Sequence, residues 1–321
     1  MGIGMRCLVT GGFGYVGSWA ARHLAAAGHQ VFVLSRSREQ RDIGAAYTLV
    51  TADLTMDREE LVAALPEGVQ GCIHAASFNE SDSPEYGRRA FAANALGTRN
   101  LLEALAEKAD CAAFPLPMLV YCSTFHVYGR EWGSIDEATE PEPKNEYALT
   151  HFLAEEYCRY YGRTRNFPVV IMRLSNGYGA PLTRTFGKWH LLLPDLCRMA
   201  HREGKIALRS APDTKRDFVW LGDVASCMER MLQRPDMAGM VINVASGKAI
   251  PIGDIAALVA SVYRERYGRE ITVCFARQTE GRGRELVADT GRLQELLGGI
   301  VFHDRLADEV AAIFACLDGN G

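Results

Sequence analysis

Short apolar runs alternate with longer stretches of helical periodicity in the first half of the chain. The apolar runs read RCLVT, QVFVLS, TLVTADL, GCIHAA, MLVYCS and PVVIMR. Between most of them, stretches such as YVGSWAARHLAAAG and AFAANALGTRNLLEALAEK repeat apolar residues with helical spacing. Strands that alternate with helices in this way predict an α/β fold with a parallel sheet and helices on both faces.

The alternation becomes looser after Arg173. Helical periodicity covers about residues 188–203, an apolar strand follows in DFVWL, and strand and helix patterns return in MVINVAS and PIGDIAALVASVYRERYG. We predict that residues 1–175 form the sheet domain, that 214–247 return to it, and that 176–213 and 248–321 form a smaller C-terminal α/β lobe.

Composition excludes several classes of protein. The chain has 321 residues, 48% of them hydrophobic, and a formal net charge of −4 from 35 basic and 39 acidic residues, without a long run of like charges. These values predict a soluble cytoplasmic protein that binds neither nucleic acid nor a membrane. The nine cysteines are scattered singly and lack metal-ligand spacing, so we expect reduced thiols and no metal site.

A glycine-rich turn follows the first predicted strand. LVTGGFGYVGSWAARHL places Gly11, Gly14 and Gly17 between that strand and the first helix. Glycines let the backbone approach a pyrophosphate, and the helix N-terminus offers unpaired N–H groups. The unit therefore predicts a Rossmann-type, doubly wound sheet that binds a dinucleotide. The predicted contacts in the turn are Gly11, Phe13, Gly14, Tyr15, Val16 and Gly17.

The end of the second strand bears on the choice of cofactor. NAD enzymes usually carry an acidic residue there, whereas this chain has Ser35 and Arg36. A hydroxyl and a guanidinium favour a 2′-phosphate, so we predict NADP(H) over NAD(H). The alternative is that Arg36 is a solvated residue of an arginine-rich loop. The remaining predicted contacts on the nucleotide are Asp53, Leu54, Ala75, Ala76, Ser77 and Asn94.

Several further motifs occur in a fixed order over most of the chain. They are STFHVYG, YALTH, RLSNGYGAP, KRDFVWLGDVA, INVASGKAIPIGDIA and ELVADTGRLQELLG. Together with the glycine turn, they resemble the extended short-chain dehydrogenase/reductases that act as nucleotide-sugar epimerases, dehydratases and reductases. The resemblance implies an enzyme with a nicotinamide cofactor and a nucleotide-sugar substrate.

The resemblance also implies roles for individual residues. Thr124 matches the Ser/Thr that hydrogen-bonds the reacting oxygen, and Tyr147 matches the catalytic tyrosine. His151 stands where the family has a lysine that contacts the nicotinamide ribose, which makes the chain a Tyr-x-x-x-His variant. Tyr147 and His151 are thus expected to contact the cofactor as well. The residues expected at the substrate are Thr124, Phe125, His126, Asn176, Arg216 and Arg282.

Three functions remain open at this point. Dehydratases of the group have Thr-Asp-Glu at the positions where this chain has Thr124, Phe125 and His126. Phenylalanine cannot transfer a proton, so dehydration is disfavoured. His126 is either an acid or base for the sugar or an ordinary packed residue. We rank an NADP(H)-dependent reductase of a keto-sugar first, an NAD-retaining 4-epimerase second and a non-enzymatic dinucleotide-binding regulator third.

His151 is the main reason for that order. A fixed lysine charge lowers the pKa of the catalytic tyrosine, whereas a histidine with an ordinary pKa of about 6.5 is charged only below neutral pH. Tyr147 should therefore stay protonated, as ketone reduction requires, and reduction should weaken as the pH rises through the histidine's range. Lys144 could supply the missing charge instead, or His151 could be a neutral spacer.

The resemblance also predicts a homodimer. Two helices, at about 88–108 and 147–161, carry apolar residues on more than one face. We expect Leu101, Leu105, Phe152 and Tyr160 to be available to a second subunit. The alternative is that the smaller lobe covers them.

Overall fold

The structure is a computed structural model that describes residues 4–79, 85–183, 186–275 and 285–319. Its strands are β1 (Arg6–Thr10), β2 (Gln30–Ser35), β3 (Thr48–Thr51), β4 (Gly71–His74), β5 (Met118–Thr124), β6 (Gly133–Ile135), β7 (Val169–Leu174), β8 (Asn176–Tyr178), β9 (Lys205–Leu208), β10 (Lys215–Trp220), β11 (Val241–Val244), β12 (Ala249–Pro251), β13 (Thr272–Phe275) and β14 (Leu286–Ala288). Its α-helices are α1 (Tyr15–Ala26), α2 (Arg58–Ala64), α3 (Tyr86–Ala90), α4 (Gly97–Ala112), α5 (Glu146–Arg165), α6 (Leu192–Glu203), α7 (Leu221–Leu232), α8 (Ile252–Tyr267), α9 (Gly291–Leu297) and α10 (Leu306–Asp318).

Over the described residues, the main sheet has seven strands in the order β11-β7-β5-β4-β1-β2-β3, and all neighbouring pairs are parallel. The chain runs from β1 outward through β2 and β3, and then returns to β4 on the other side of β1. This reversal opens a crevice beyond the carboxyl ends of β1 and β4, where ligands bind in folds of this kind. The predicted doubly wound α/β fold is confirmed.

The strands of this sheet are apolar on both faces because helices cover both. Residues of β1 alternate between the layers: Cys7 and Val9 pack with α1 and α7, whereas Leu8 packs with α2 and α4. A strand buried on both sides reads as a continuous apolar run. This explains why the sequence pattern predicted these strands correctly.

A second hydrophobic core lies between α6, α8 and α10. Three short sheets accompany it, formed by β12-β10-β8, by β13-β9 and by β14-β6. After β10, the chain returns to the main sheet through α7, which packs on α1, and through β11 at the sheet edge. The proposed division into two lobes with a returning segment stays a prediction about domains.

The predicted helix at 88–108 is interrupted. α3 ends at Ala90, residues Phe91–Leu96 form a π-helical turn, and α4 begins at Gly97. In α4, Leu101 and Leu105 are almost fully buried against the sheet. The prediction that these two leucines face a second subunit is therefore wrong, because the apolar stripe of α4 that contains them covers the sheet.

The predictions about membrane binding and about the cysteine thiols can be compared with the structure. Within the described ranges, no helix is both long and apolar enough to cross a membrane. All nine cysteines lie in those ranges, and each is a free thiol.

Candidate active site and dinucleotide cleft

The glycine turn lies at the crevice between β1 and β4. Gly11 has φ of +65°, and an added Cβ there would lie 2.7 Å from the backbone of Ala76. A Cβ at Gly17 would collide with the Gly11 carbonyl oxygen. α1 begins at Tyr15 with Gly14 as its N-cap and without a side-chain cap. The positive end of the helix dipole and its first N–H groups are therefore available to an anion such as a pyrophosphate.

A cavity of about 680 Å³ opens beside this turn. Its volume is in the range of small-molecule and cofactor sites. It brings together residues that lie at or after the carboxyl ends of β1, β2, β3 and β4, and residues of the helix that follows β4. The predicted cofactor contacts that line it are Gly11, Phe13, Gly14, Ser35, Arg36, Asp53, Leu54, Ala76 and Ser77.

Arg41 also lines this cavity, although no role in the site was predicted for it from the sequence. The Tyr47 hydroxyl accepts a hydrogen bond from the Arg41 N–H at 2.9 Å and donates one to the Arg41 carbonyl at 2.6 Å. The Arg41 guanidinium lies 5.5 Å from the centre of the Phe13 ring. Its Nε is buried and lacks a hydrogen-bond partner among the described residues. An orphaned buried donor of this kind is suited to an anionic or polar group of a ligand.

The acidic residue in the cavity is already engaged. The Asp53 carboxylate accepts hydrogen bonds from the backbone N–H and the hydroxyl of Thr55, at 2.9 and 2.8 Å. Ser35 accepts the N–H of Ser37 at 3.1 Å. The cavity therefore combines the guanidinium groups of Arg36 and Arg41 with the carboxylate of Asp53, one oxygen of which already accepts two hydrogen bonds.

Other predicted cofactor contacts lie behind the cavity wall. The Tyr15 hydroxyl donates to the Gly179 carbonyl at 2.6 Å and accepts the Gly179 N–H at 2.9 Å. Val16 and Ala75 pack against the core on the α1 side of the sheet. The side chains of Tyr15 and Val16 thus hold the turn against the rest of the protein.

Asn94 is buried in the π-helical turn. Its amide oxygen accepts the Phe78 N–H at 2.6 Å, and its amide nitrogen donates to the Phe78 carbonyl and to the Thr150 hydroxyl. The amide is thus occupied in tying the segment after β4 to α5. The cofactor contact of Asn94 stays a prediction.

The carboxyl end of β5 and the start of α5 form the candidate catalytic site. β5 ends at Thr124, whose hydroxyl accepts the His126 N–H at 3.2 Å. Asn145 caps α5 by accepting the Ala148 N–H at 2.9 Å. This cap places Tyr147 in the first turn of the helix, with His151 one turn later on the same side.

Tyr147 lies in the middle of this site. Its ring centre is 4.6 Å from that of His151 and 5.7 Å from that of His126. Burial is the main cause that raises the pKa of Tyr147, the nearby Cys122 raises it further, and a hydrogen bond with Thr124 opposes the rise. The phenol is therefore held in its protonated form beside Thr124.

His151 is neutral over the whole physiological range. It is 3% exposed, and burial lowers its pKa to about 4, although the Glu155 carboxylate opposes the change. The expectation that His151 titrates near neutral pH is wrong, because helix α5 and strand β5 enclose its ring. Reduction should consequently not weaken as the pH passes through a normal histidine pKa.

Nearby cations are paired elsewhere. The Arg173 guanidinium binds the Glu155 carboxylate through two hydrogen bonds of 2.9 and 2.6 Å, and both side chains are almost fully buried. Lys144, which could have replaced the family lysine, is exposed and forms an ion pair with Glu142. Tyr147 thus lacks the fixed positive partner that a lysine at 151 would provide.

The residues predicted to meet the sugar come from the segment after β5 and from strands β8 and β10. His126 is exposed beside Tyr147, and the surrounding protein and then Arg216 lower the pKa of His126. Phe125 packs against Tyr128, with ring centres 5.9 Å apart. Asn176 donates to the Asp217 carbonyl at 2.8 Å. Arg282 lies outside the described residues.

Two contacts of the site were not predicted from the sequence. Tyr121 lies with its hydroxyl oxygen 2.9 Å from Nδ1 of His151. His74, at the end of β4, contacts the Thr10 hydroxyl through Nδ1 and the Thr98 hydroxyl through Nε2, at 2.6 and 2.8 Å. Strand alternation indicates that Tyr121 and Ser123 share one face of β5, but only the fold shows that this face meets α5. Across the described ranges, no cluster of three or more potential ligands could hold a metal ion.

The Rossmann-type sheet, the glycine turn and the Thr124–Tyr147 pair together define a dinucleotide-dependent enzyme of the short-chain dehydrogenase/reductase type. A family model described as the NAD dependent epimerase/dehydratase family matches residues 7–245. The chain therefore belongs to this family of enzymes, which confirms the resemblance seen in the motifs.

Individual relatives agree with this assignment. GDP-6-deoxy-D-mannose reductase of Pseudomonas aeruginosa is 30% identical over 304 residues, covering 91% of each chain. UDP-glucose 4-epimerase of Rhizobium meliloti is 26% identical over 307 residues, covering 91% of this chain and 90% of the relative. The solved structure of Bacillus cereus UDP-glucuronic acid 4-epimerase in complex with NAD has a TM-score of 0.79 at 20% identity, with 98% and 99% of the two chains covered.

Proposed function

We propose that this protein is an NADP(H)-dependent oxidoreductase that reduces a keto group of a nucleotide-activated sugar. The observation that carries the proposal is the uncharged surroundings of Tyr147. His151 is neutral and buried beside it, and Lys144 is paired with Glu142 at the surface. A tyrosine without a cationic neighbour keeps its proton, and ketone reduction needs a proton donor.

Residues of the cavity and of the candidate catalytic site fit a nicotinamide dinucleotide. The glycine turn and the N-terminus of α1 would hold the pyrophosphate, and the buried Nε2 of His151, which has no hydrogen-bond partner among the described residues, would meet the nicotinamide ribose. When bound, the reduced nicotinamide supplies a hydride to the carbonyl carbon. Tyr147 donates its proton to the carbonyl oxygen, Thr124 hydrogen-bonds that oxygen, and the product is an alcohol.

The preference for NADP rests on the arginines of the cavity. Arg36 and Arg41 line it, and the position usually held by an acidic residue in NAD enzymes is Ser35. A charge-assisted hydrogen bond to a 2′-phosphate contributes about 1.5–3 kcal/mol, which corresponds to a factor of roughly ten to a hundred in affinity. NAD gains no such contact, because it carries a hydroxyl in place of the 2′-phosphate.

The substrate is inferred from the relatives and from the chemistry of two side chains, His126 and Arg216. Relatives with reductase and epimerase names act on GDP- and UDP-sugars. The His126 ring lies 5.7 Å from that of Tyr147, and Arg216 is near enough to His126 to lower its pKa. A guanidinium is suited to a sugar-nucleotide diphosphate, and an imidazole of lowered pKa is suited to a hydroxyl of the sugar.

A second candidate is a nucleotide-sugar epimerase with retained NAD. The alignment with the Rhizobium meliloti UDP-glucose 4-epimerase over most of both chains favours it. Epimerisation begins with oxidation of a hydroxyl, for which Tyr147 must act as a phenolate base. The raised pKa of Tyr147 disfavours that step. The third function considered from the sequence, a regulator without catalysis, is set aside because the chain belongs to a family of enzymes.

We also propose a homodimer, with a corrected interface. Leu149 and Tyr160 are eleven positions apart on α5 and so share one face, and their side chains are 41% and 52% exposed. Phe91, on the neighbouring π-helical turn, is 41% exposed. Phe152 is partly buried against a small core cluster around Val127. The outer face of α5 therefore replaces Leu101 and Leu105 as the predicted contact.

The test is a panel of nucleotide sugars and their keto derivatives. The purified protein is incubated with NADPH or with NAD, and the products are identified by mass spectrometry and NMR. The proposal expects NADPH-dependent conversion of a keto-sugar nucleotide into an alcohol, abolished in Tyr147→Phe. Interconversion of UDP-glucose and UDP-galactose without cofactor consumption would support the epimerase instead.

A further inference from the structure

The two ring nitrogens of His151 have different surroundings. Nδ1 lies 2.9 Å from the Tyr121 hydroxyl oxygen, while Nε2 is buried and lacks a partner among the described residues. Tyr121 and His151 are 1% and 3% exposed, so bulk water cannot serve either of them. A buried polar atom left without a partner is unfavourable, and such an atom in a ligand site is suited to a group of the ligand.

Counting donors and acceptors determines which nitrogen carries the proton. If the Tyr121 O–H donates to Nδ1, a single group, the Nε2–H, remains unpaired. If instead Nδ1–H donates to Tyr121, both the phenol proton and the Nε2 lone pair remain unpaired, because Nδ1 of His151 is the hydrogen-bond contact of the Tyr121 hydroxyl within the described part of the chain. The first arrangement leaves fewer buried groups unsatisfied, so it is the stable one.

The titration properties of both groups agree with this arrangement. Burial raises the pKa of Tyr121 well above its ordinary value, so its hydroxyl keeps the proton that it donates. Burial lowers the pKa of His151 to about 4, so the ring has one proton to place on either nitrogen. A neutral histidine offers a donor on the Nε2 side only in one tautomer, whereas a lysine ammonium always carries three N–H groups.

The contact belongs to a repeated pattern between β5 and α5. Tyr121 and Ser123 are two positions apart on the strand, and His151 and Glu155 are four positions apart on the helix. Tyr121 contacts His151, and Ser123 donates to Glu155 at 2.6 Å. Residues with these spacings share one face of each element, so the same two faces meet twice. The second contact, anchored by the Glu155–Arg173 ion pair, fixes the register of the first.

We propose that Tyr121 is a positioning residue: its hydroxyl donates to Nδ1 of His151 and thereby holds the ring as the Nε2–H tautomer, whose N–H donates to a ribose hydroxyl of the nicotinamide nucleoside. The second half of this statement rests on the proposed dinucleotide function. Tyr121 thus gives a neutral histidine the fixed donor that a lysine carries by itself.

The first measurement is independent of catalysis. Histidines of the full chain are labelled with ¹⁵N, and the His151 signals are identified by their loss in His151→Ala. The unaltered protein should show a protonated Nε2 and an unprotonated, hydrogen-bonded Nδ1 at neutral pH. A protonated Nδ1 would overturn the proposal, and this result does not depend on whether any Tyr121 variant folds.

The second measurement is the affinity for NADP⁺ by calorimetry. Tyr121→Phe should weaken binding roughly three- to tenfold, the effect of one neutral hydrogen bond, and should mix the two tautomers. Tyr161→Phe is the matched control, because Tyr161 is another buried tyrosine whose hydroxyl contacts Glu103 on α4. It should leave both readouts unchanged. Equal affinity in Tyr121→Phe and the unaltered protein would refute the positioning role.

A double variant separates positioning from general packing. In a His151→Lys background there is no tautomer to fix, so Tyr121→Phe should change the NADP⁺ affinity less than twofold. An undiminished effect in that background would overturn the proposal. If the unaltered protein shows the Nε2–H tautomer but binds no dinucleotide, the proposed function fails while the Tyr121–His151 contact stands, so the two failures can be told apart.

Discussion

Replacing His151 with lysine should lower the pKa of Tyr147. The rings of Tyr147 and His151 are 4.6 Å apart, and the histidine carries no charge at neutral pH. A lysine ammonium at that distance attracts a phenolate with about 3.6 kcal/mol at an effective dielectric constant of about 20. Because Tyr147 is only half-buried, solvent screening could halve this value. At 1.36 kcal/mol per pKa unit, the expected decrease is about 1.3 to 2.6 units.

The direction of the effect follows from the charges. A neighbouring cation favours the ionised phenol, so His151→Lys extends the phenolate form to lower pH. In the oxidative direction, which needs the phenolate, the pH at which kcat is half-maximal should fall by the same amount. In the reductive direction, the loss of activity at alkaline pH should begin correspondingly earlier. In the unaltered protein, reduction should be flat between about pH 6 and 8, because neither His151 nor Tyr147 titrates there.

The assay records both pH profiles with saturating cofactor, and it measures the phenolate directly by ultraviolet difference spectroscopy against Tyr147→Phe. Lys144→Ala is the control, since Lys144 pairs with Glu142 and should leave both profiles unchanged. Identical profiles for the unaltered protein and His151→Lys would refute the reasoning. A change in Lys144→Ala would show that Lys144, and not residue 151, sets the charge at Tyr147.

Three further outcomes are expected. Arg36→Asp should reverse the preference for NADP over NAD, measured as dissociation constants, and equal constants for the two cofactors in the unaltered protein would contradict the assignment. Glu155→Gln should lower the free energy of unfolding by about 3–5 kcal/mol in denaturant titrations, because it leaves a buried guanidinium without its carboxylate, whereas Glu156→Gln, at an exposed site, should cost less than about 1 kcal/mol. Light scattering should show a dimer that Leu149→Glu combined with Tyr160→Glu converts to a monomer, and a monomeric mass before mutation would refute the dimer.

The sheet and its cofactor end were predictable because their signals are local. A strand buried on both faces is apolar throughout, as in Cys7–Val9, and the glycine spacing reports a close approach that Gly11 makes to Ala76. Short strands such as β8 and β14 were not predicted, because each has three residues and is defined by its partner. Three residues are too few for a period to be recognised.

The chemistry of His151 was predictable in part. Its place one turn after Tyr147 followed from helical spacing, but its burial and its partner come from β5, 30 positions away. A histidine in solution would titrate near neutral pH, and only the enclosing fold lowers its pKa to about 4. For the same reason, Leu101 and Leu105 were misassigned: an apolar stripe shows that a helix face is covered, but not what covers it.

The central claim is a net reduction with Tyr147 as the acid, and isotope transfer tests it most directly. The protein is supplied with NADPH that carries deuterium at the transferable position and with the keto-sugar nucleotide that proves active in the panel. The account predicts one deuterium on the new carbinol carbon of the product, one NADPH consumed for each product molecule, and neither in Tyr147→Phe. A change of configuration in a nucleotide sugar, with no NADPH consumed and no deuterium incorporated, would contradict it.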